Sequence, residues 1–290
     1  MAATLTQLQD ILRSCGRTLV AYSGGGDSAL LAKVAHDTLG DQALAVIADS
    51  PSLPRRELDE ALALGRQFGF PVRVIQTAEM ADANYLSNPA NRCYFCKAEL
   101  FEQLAGIART EQWQTIIYGE NASDAGDFRP GAQAAQEYRV RAPLKEAGLT
   151  KAEVRQLSAE LGLPTADKPA MACLSSRIPY GEPVTAEALA MIEAAENFLR
   201  DAGFYDVRVR HHKNMARIEV GPAELPKLFD AQLRAAVVKA LQAIGYAYVT
   251  LDLQGYRRGR LGESAMTASA WSPNVSCATL ARSALSPPPE

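Results

Sequence analysis

The sequence has few cysteines, no long apolar run and no excess of either charge. Five cysteines among 290 residues are too few and too widely spaced for a disulfide scaffold. No apolar run approaches the roughly 20 residues that a membrane-spanning helix requires, and residues 1–15 lack the continuous apolar core of a signal peptide. These absences predict a soluble protein in a reducing, cytoplasmic setting without a membrane partner.

The charges of the chain almost cancel. Thirty Lys and Arg residues stand against thirty-three Asp and Glu residues, which gives a net charge of −3. A protein that binds RNA or DNA usually carries a clear excess of basic residues, so we expect no nucleic-acid partner. The length, with 48% hydrophobic residues, fits two modest domains.

Short apolar runs alternate with helical patterns in the first part of the chain. The runs are TLVAY (18–22), ALAVIA (43–48), VRVIQT (72–77) and TIIYG (115–119). This alternation predicts an α/β fold with a doubly wound parallel sheet. Later, two long helical patterns and three strand patterns predict a second, smaller α+β domain. We divide the chain into residues 1–165, a linker or active-site loop at 166–182, a small domain at 183–262, and a Ser-, Ala- and Pro-rich tail at 263–290 that we expect to be disordered or appended to the natural sequence.

A glycine-rich loop, SGGGDS (23–28), stands between the first strand and its helix. Backbone N–H groups and the helix dipole favour an anion at such a place. No Walker A lysine follows, and the spacing is not that of a dinucleotide-binding loop. The pattern SGGxDS resembles the loop of the ATP pyrophosphatase, or PP-loop, family, which cleaves ATP between its α and β phosphates. The resemblance implies that Asp27 helps to hold Mg²⁺ and that pyrophosphate is cradled by Ser23, Gly24, Gly25, Gly26 and Ser28. A plain glycine-rich turn is the alternative.

Two polar residues, Asp49 and Ser50, end the second strand. Nucleotides bind at the carboxyl edge of such sheets, which favours a role in adenosine binding. An ordinary loop is the alternative.

The segment NRCYFCK (91–97) carries Cys93 and Cys96 at the head of a helical pattern, and Cys173 lies in the loop MACLSSRIPYG (171–181). A C-x-x-C pair serves in zinc sites, redox pairs and iron–sulfur sites. Three thiolates without an evident fourth ligand suit a [4Fe–4S] cluster with one open iron, whereas structural zinc generally takes four protein ligands. Zinc and unliganded thiols remain alternatives. Cys15 and Cys277 are interpreted as bystanders.

Longer motifs extend the likeness over residues 5–260. They are SGGxDS, RCYFCK, GENASDAGDFRPG (119–131), the block from Ala142 to Pro164, CLSSRIPYG and RVRHHKNMARIEV (208–220). Together they resemble LarE, the family of ATP-dependent sulfur transferases that build the nickel-pincer cofactor of lactate racemase.

The resemblance implies an activity. Such enzymes adenylate a carboxylate of pyridinium-3,5-biscarboxylic acid mononucleotide and then insert sulfur, which gives a thiocarboxylate. In one kind, the cysteine corresponding to Cys173 surrenders its own sulfur. In the other kind, three cysteines carry a [4Fe–4S] cluster that delivers sulfide from an added source. Cys93 and Cys96 place this chain with the second kind, and the family implies a homo-oligomer, a hexamer.

The family also implies a substrate side. The matching residues are Arg177, Arg208, Arg210, Glu196 and Glu219. Asp124, Asp127 and Arg129 form a polar loop after a strand, where we expect them to face the nucleotide. A solvated basic strand face and Asx turns are the ordinary alternatives for these residues. Two rival functions remain open: an iron–sulfur tRNA thiolase of the same superfamily, and a non-catalytic ATP-binding module with structural zinc.

Overall fold

A computed structural model describes residues 2–124, 130–169 and 172–257. Asp127, Arg129 and the tail at 263–290 lie outside the described residues. None of the helices in these ranges is both long and apolar enough to span a membrane.

The first half of the chain forms a four-stranded sheet. Its strands are β1 (Thr18–Tyr22), β2 (Ala43–Asp49), β3 (Val72–Gln76) and β4 (Thr115–Tyr118). The order is β3-β2-β1-β4 and every pairing is parallel. The chain therefore winds outward from β1 and then returns to its other side. In sheets of this kind a ligand crevice opens at the carboxyl ends where the winding reverses, here between β1 and β4.

Helices cover both faces of this sheet. They are α1 (Ala2–Cys15), α2 (Gly26–Leu39), α3 (Arg55–Phe68), α4 (Ala83–Leu86), α5 (Arg92–Glu111), α6 (Pro130–Glu137), α7 (Pro143–Glu146) and α8 (Lys151–Glu160). Alternate residues of β1 face opposite cores, as the period of a strand requires. Val20 packs with α1, α2, α3 and α8, whereas Leu19 packs with α5 and α6. The predicted doubly wound α/β fold is confirmed.

A smaller mixed sheet follows. Its elements are α9 (Ala186–Asp201), β5 (Val207–His212), β6 (Met215–Val220), α10 (Ala231–Ile244) and β7 (Tyr248–Leu251). Strands β5 and β6 pair antiparallel, and β6 and β7 pair parallel. Both helices pack on this sheet around a separate apolar core. The predicted α+β unit is present, and the exact domain boundaries stay predictions.

A small apolar cluster joins α4 and α5 to α9. It contains Tyr85 of α4, Leu174 and Ile178 of the loop that follows Cys173, and Leu189 and Ile192 of α9. Cys96 of α5 packs against the same cluster. The turn that follows Cys173 thus packs against α4, α5 and α9.

Candidate functional site

The glycine-rich loop has one position where only glycine fits. Gly24 has a φ of +72°, and a Cβ added there would lie 2.7 Å from Cβ of Ala61 on α3. Across the loop, the side-chain oxygens of Ser23 and Ser28 lie 3.0 Å apart, and the N–H of Ser23 donates to Oγ of Ser28. The loop is therefore closed on itself, with the N-terminus of α2 at its end.

The crevice between β1 and β4 begins at this loop. A Cβ added to Gly119, just after β4, would lie 2.8 Å from the backbone N of Ser28. The backbone following β4 therefore passes directly against the first turn of α2. The predicted phosphate loop lies where the topology opens its crevice.

Asp27 faces a lysine that the sequence analysis missed. Nζ of Lys151 lies 2.8 Å from both carboxylate oxygens of Asp27, and both side chains are about one-quarter exposed, at 27% and 24%. Lys151 is the first residue of α8, which begins with a reciprocal capping box between Thr150 and Glu153. The pattern T-x-x-E was a sequence signal for this helix start, but it did not show that the lysine points to the loop.

Asp49 and Ser50 lie at the carboxyl end of β2 and have protein partners. Burial raises the pKa of Asp49, but hydrogen bonds from Gln76 and Arg55 outweigh it, so the pKa is lowered. Ser50 is buried, with its Oγ 2.9 Å from Oγ of Ser52. The adenosine role of both residues stays a prediction.

The three predicted cysteine ligands come together. Cys93 and Cys96 lie in the first two turns of α5, and Cys173 directly precedes the 3-10 turn Leu174–Arg177. Burial and the nearby Cys173 thiol raise the pKa of Cys96 to about 12. The same two causes raise the pKa of Cys93, whose residue as a whole is exposed although protein atoms surround its thiol. The N–H of Leu174 donates to the carbonyl of Ser52, 2.9 Å away. The Cys173 turn therefore returns over the carboxyl edge of the first sheet.

The donor set can be tested against the metals that it was predicted to hold. Among residues 2–124, 130–169 and 172–257, no group of three or more His, Cys, Asp or Glu side chains is arranged to hold one metal ion. Structural zinc needs such a group. A cubane iron–sulfur cluster binds each cysteine at a different iron, so its ligand sulfurs stand farther apart than those of a single ion. Three neighbouring thiols match the number of protein ligands that such a cluster with one open iron needs, and the cluster itself stays a prediction.

Arg177 and Glu196 form a buried ion pair rather than a solvent-facing one. Arg177 is 2% exposed and Glu196 is 1% exposed. Nε and Nη2 of Arg177 donate to the two carboxylate oxygens at 2.7 and 2.9 Å. Nη1 donates to the carbonyls of Ala172 and Cys173 at 2.8 and 3.1 Å. Arg177 thus binds the backbone at Cys173 as well as Glu196. The predicted substrate role of the two residues stays a prediction.

Arg210 and Glu219 form a second buried pair. Nε and Nη2 of Arg210 donate to Oε2 of Glu219 at 3.0 and 2.8 Å, and Nη1 donates to the carbonyl of Ser176 at 2.9 Å. Arg208 on the same strand stacks over Tyr256, with 4.7 Å between its guanidinium carbon and the ring centroid. The second sheet thus holds the Cys173 turn through Arg210.

Asp124 lies in the loop after β4, where its Oδ2 accepts from the N–H of Asn121 at 3.1 Å. This contact is local, but it runs back by three residues, whereas the Asx turn given as the alternative takes the N–H two residues further on. The predicted role of Asp124 stays a prediction.

Two cations beside the cysteines were also missed. Arg92 and Lys97 flank the pair Cys93 and Cys96 on α5, and both favour the thiolate form of Cys93 electrostatically. Lys97 lies over Phe101, with its Nζ 5.6 Å from the ring centroid. The motif RCYFCK contains both cations, but only the fold shows that they lie close enough to the Cys93 thiol to influence its charge.

Comparison with known proteins adds relatives of almost full length. No family model matches the chain. An uncharacterized protein of Synechocystis sp. is 46% identical over 261 residues, which are 90% of this chain and 97% of that protein. The pyridinium-3,5-bisthiocarboxylic acid mononucleotide synthase of Lactiplantibacillus plantarum is 37% identical over 265 residues, which are 91% of this chain and 95% of that enzyme. A GMP synthase of Nitrosococcus oceani is 32% identical over 166 residues, which are 50% of this chain and 31% of that enzyme.

These likenesses agree with the loop and the sheet. The GMP synthase match covers half of the chain and supports a fold of the PP-loop type. The Lactiplantibacillus enzyme matches from end to end, so it accounts for the second sheet as well as the first. The resemblance predicted from the motifs is confirmed, and the chain belongs to the LarE family of pyridinium-3,5-bisthiocarboxylic acid mononucleotide synthases.

Proposed function

We propose that this chain is an ATP-dependent sulfur transferase that converts a carboxylate of pyridinium-3,5-biscarboxylic acid mononucleotide into a thiocarboxylate. The observation that carries the proposal is the 37% identity, over 91% of the chain, to the synthase of Lactiplantibacillus plantarum. The glycine-rich loop at the sheet crevice and the three neighbouring thiols supply the two parts that this chemistry needs.

The first step activates the carboxylate. A substrate carboxylate oxygen attacks the α-phosphorus of ATP, a P–O bond forms, and the bond to the β-phosphate oxygen breaks. Pyrophosphate leaves with the electron pair, and an acyl-adenylate remains. The amides at the head of α2 stabilise the leaving pyrophosphate, as helix N-termini do for phosphate groups. Asp27 would ligate Mg²⁺, which requires Lys151 to release its two contacts and leaves the lysine free to face a phosphate.

The second step transfers sulfur. Hydrosulfide attacks the acyl carbon, a C–S bond forms, and the C–O bond to AMP breaks. AMP leaves with the oxygen, and the proton of hydrosulfide passes to solvent. No electrons are exchanged, because the sulfur is at the sulfide level before and after the step.

Cys93, Cys96 and Cys173 would hold the [4Fe–4S] cluster. When bound, the cluster offers one iron without a protein ligand, which can bind sulfide in its deprotonated form. The turn after Cys173 contacts Ser52 beyond the carboxyl end of β2, which supports a sulfur site on the same edge of the sheet as the proposed nucleotide site.

The experiment combines metal content with product analysis. The protein is purified without oxygen, reconstituted with iron and sulfide, and supplied with ATP, Mg²⁺ and pyridinium-3,5-biscarboxylic acid mononucleotide. We expect about four irons and four sulfides per chain, formation of AMP and pyrophosphate, and a product in which sulfur replaces oxygen by mass spectrometry. Cys93→Ser and Cys173→Ser should lose the cluster.

The matched control is Cys15→Ser. Cys15 is buried in α1, away from the other thiols, and is 2% exposed. That variant should keep its cluster and its product. Product that contains sulfur from the protein itself, in a single turnover and without iron, would make Cys173 a sacrificial donor. ATP binding without AMP formation would refute the proposed activity, and salt-sensitive tRNA binding would favour the tRNA thiolase.

A further inference from the structure

Arg92 connects the two segments that carry the cysteines. It is the first residue of α5, directly before Cys93, and is 3% exposed. Its Nη1 donates to Oδ1 of Asn88 and, at 3.1 Å, to the carbonyl of Ser175. Ser175 lies two residues after Cys173. One guanidinium therefore links the start of the C-x-x-C helix to the turn of the third cysteine.

Asn88 completes this connection. It is fully buried, has a φ of +53°, and its Nδ2 donates to the carbonyl of Pro179 at 2.7 Å. Its own carbonyl accepts from the N–H of Gly181 at 2.9 Å. Because asparagine tolerates the left-handed region better than most residues, this position can point its amide inward. Arg92 and Asn88 together bind the turn itself and the chain that follows it.

The buried charge of Arg92 meets neutral oxygen partners in the described part of the chain. Within the part of the chain that the structure describes, its side-chain hydrogen bonds go to one amide oxygen and one carbonyl, and no Asp or Glu pairs with it within 4.0 Å. A buried cation without an anion is costly in a protein interior. The cysteine thiols lie beside Arg92, and a thiol becomes an anionic thiolate when it ligates iron.

We propose that Arg92 is a positioning residue for the sulfur site: it holds the turn of Cys173 against α5, and its buried positive charge offsets the anionic sulfur that collects there. The inference deepens the proposed function and rests on its three-cysteine site. It assigns a role to a residue that does not itself ligate the cluster or contact the reacting carboxylate.

Cross-linking tests the positioning without a cluster. The metal-free full chain is treated with dibromobimane, a short reagent that bridges two neighbouring thiols, and the bridged peptides are quantified by mass spectrometry. The bridge between Cys93 and Cys96 depends only on α5 and serves as an internal standard. The bridge from either of them to Cys173 depends on tertiary position. In Arg92→Gln we expect the ratio of tertiary to internal bridge to fall about tenfold, since hydrogen bonds from a charged group are lost.

Two further variants separate the causes. Arg92→Lys keeps the charge but loses the planar fork, so its ratio should lie between those of the wild type and Arg92→Gln. Arg141→Gln is the control: it removes an arginine that also contacts a thiol, Cys15, outside the site, and it should keep the wild-type ratio. After reconstitution, Arg92→Gln should bind less iron than Arg92→Lys.

The outcomes distinguish this inference from the proposed function. An unchanged ratio in a folded Arg92→Gln protein overturns the inference, as does an unchanged ratio in Arg92→Lys if the glutamine variant does not fold. Failure of the wild type to form any bridge to Cys173 also overturns it. If the ratio responds to Arg92 while the wild type makes no thiocarboxylate, the positioning role stands and the proposed function fails.

Discussion

Glu196→Gln removes the negative charge from a buried ion pair and leaves its size almost unchanged. In the wild type, Oε1 accepts from Nε of Arg177 at 2.7 Å and from the N–H of Val209 at 3.0 Å, and Oε2 accepts from Nη2 of Arg177 at 2.9 Å. A glutamine can keep one oxygen acceptor, but its NH₂ group then faces an arginine donor. The guanidinium charge of Arg177 remains buried without its anion.

The structure sets the size of the effect. Breaking a buried pair by removing one partner costs about 3–5 kcal/mol, because the remaining charge is left uncompensated. The substitution leaves no large cavity, and Nη1 of Arg177 keeps its carbonyl partners, so we expect a loss near the lower end, about 3 kcal/mol. An exposed pair would contribute only about 0–1 kcal/mol.

The free energy of unfolding is measured by urea titration, with the slope m checked for constancy. The matched control is Asp201→Asn on the same helix. Asp201 pairs with Arg56 at 2.5 Å, but the two side chains are 64% and 42% exposed, so that variant should change stability by less than about 1 kcal/mol. Equal losses in the two variants would refute the argument that burial makes the Arg177–Glu196 pair important.

The remaining predictions concern pH, the loop and a helix start. Burial raises the pKa of Glu196, but the charge and hydrogen bonds of Arg177 outweigh burial, so the pKa is lowered. The pair's contribution to the free energy of unfolding is therefore complete above the unfolded glutamate pKa of about 4.3, and it is lost as the pH falls through the lower pKa of the folded protein. Urea titrations at several acidic pH values should show the gap between wild type and Glu196→Gln closing, and a constant gap would contradict this. Gly24→Ala should weaken ATP binding, measured by calorimetry, at least about tenfold, because the added Cβ would collide with Ala61 and distort the loop. The control Gly69→Ala has a similar φ of +75° but open space around it, so it should lower stability without changing ATP binding. Thr150→Ala removes a capping box and should cost about 1 kcal/mol in the same urea assay.

The fold could be predicted from the sequence because its signals are local. Each buried parallel strand is a continuous apolar run, so Thr18–Tyr22 is visible without any knowledge of its neighbours. The glycine-rich loop follows that strand directly, and its position at the sheet edge is a consequence of the strand itself. The observed bounds of the four strands differ from the predicted ones by one residue at most.

The contacts of the site could not be predicted in the same way, because they join segments far apart in the chain. Arg177 and Arg210 were recognised as cations, but their anionic partners lie on another helix and another strand. Lys151 stands 124 residues from Asp27. A charged residue in a sequence shows that a partner is needed, and only the fold shows whether that partner is a ligand or another side chain.

The two buried pairs and Arg92 have one target in common, the backbone of the turn that carries Cys173. Arg177 binds the carbonyls of Ala172 and Cys173, Arg210 binds that of Ser176, and Arg92 binds that of Ser175. Three guanidinium groups, one from the turn itself, one from α5 and one from β5, therefore bind four of the five backbone carbonyls from Ala172 to Ser176. A turn whose carbonyls were hydrogen-bonded only to water could shift when its cysteine binds or releases a ligand. Because the backbone of this turn is bound by three arginines, we expect Cys173 to keep its position over the edge of the first sheet when its side chain binds or releases a ligand.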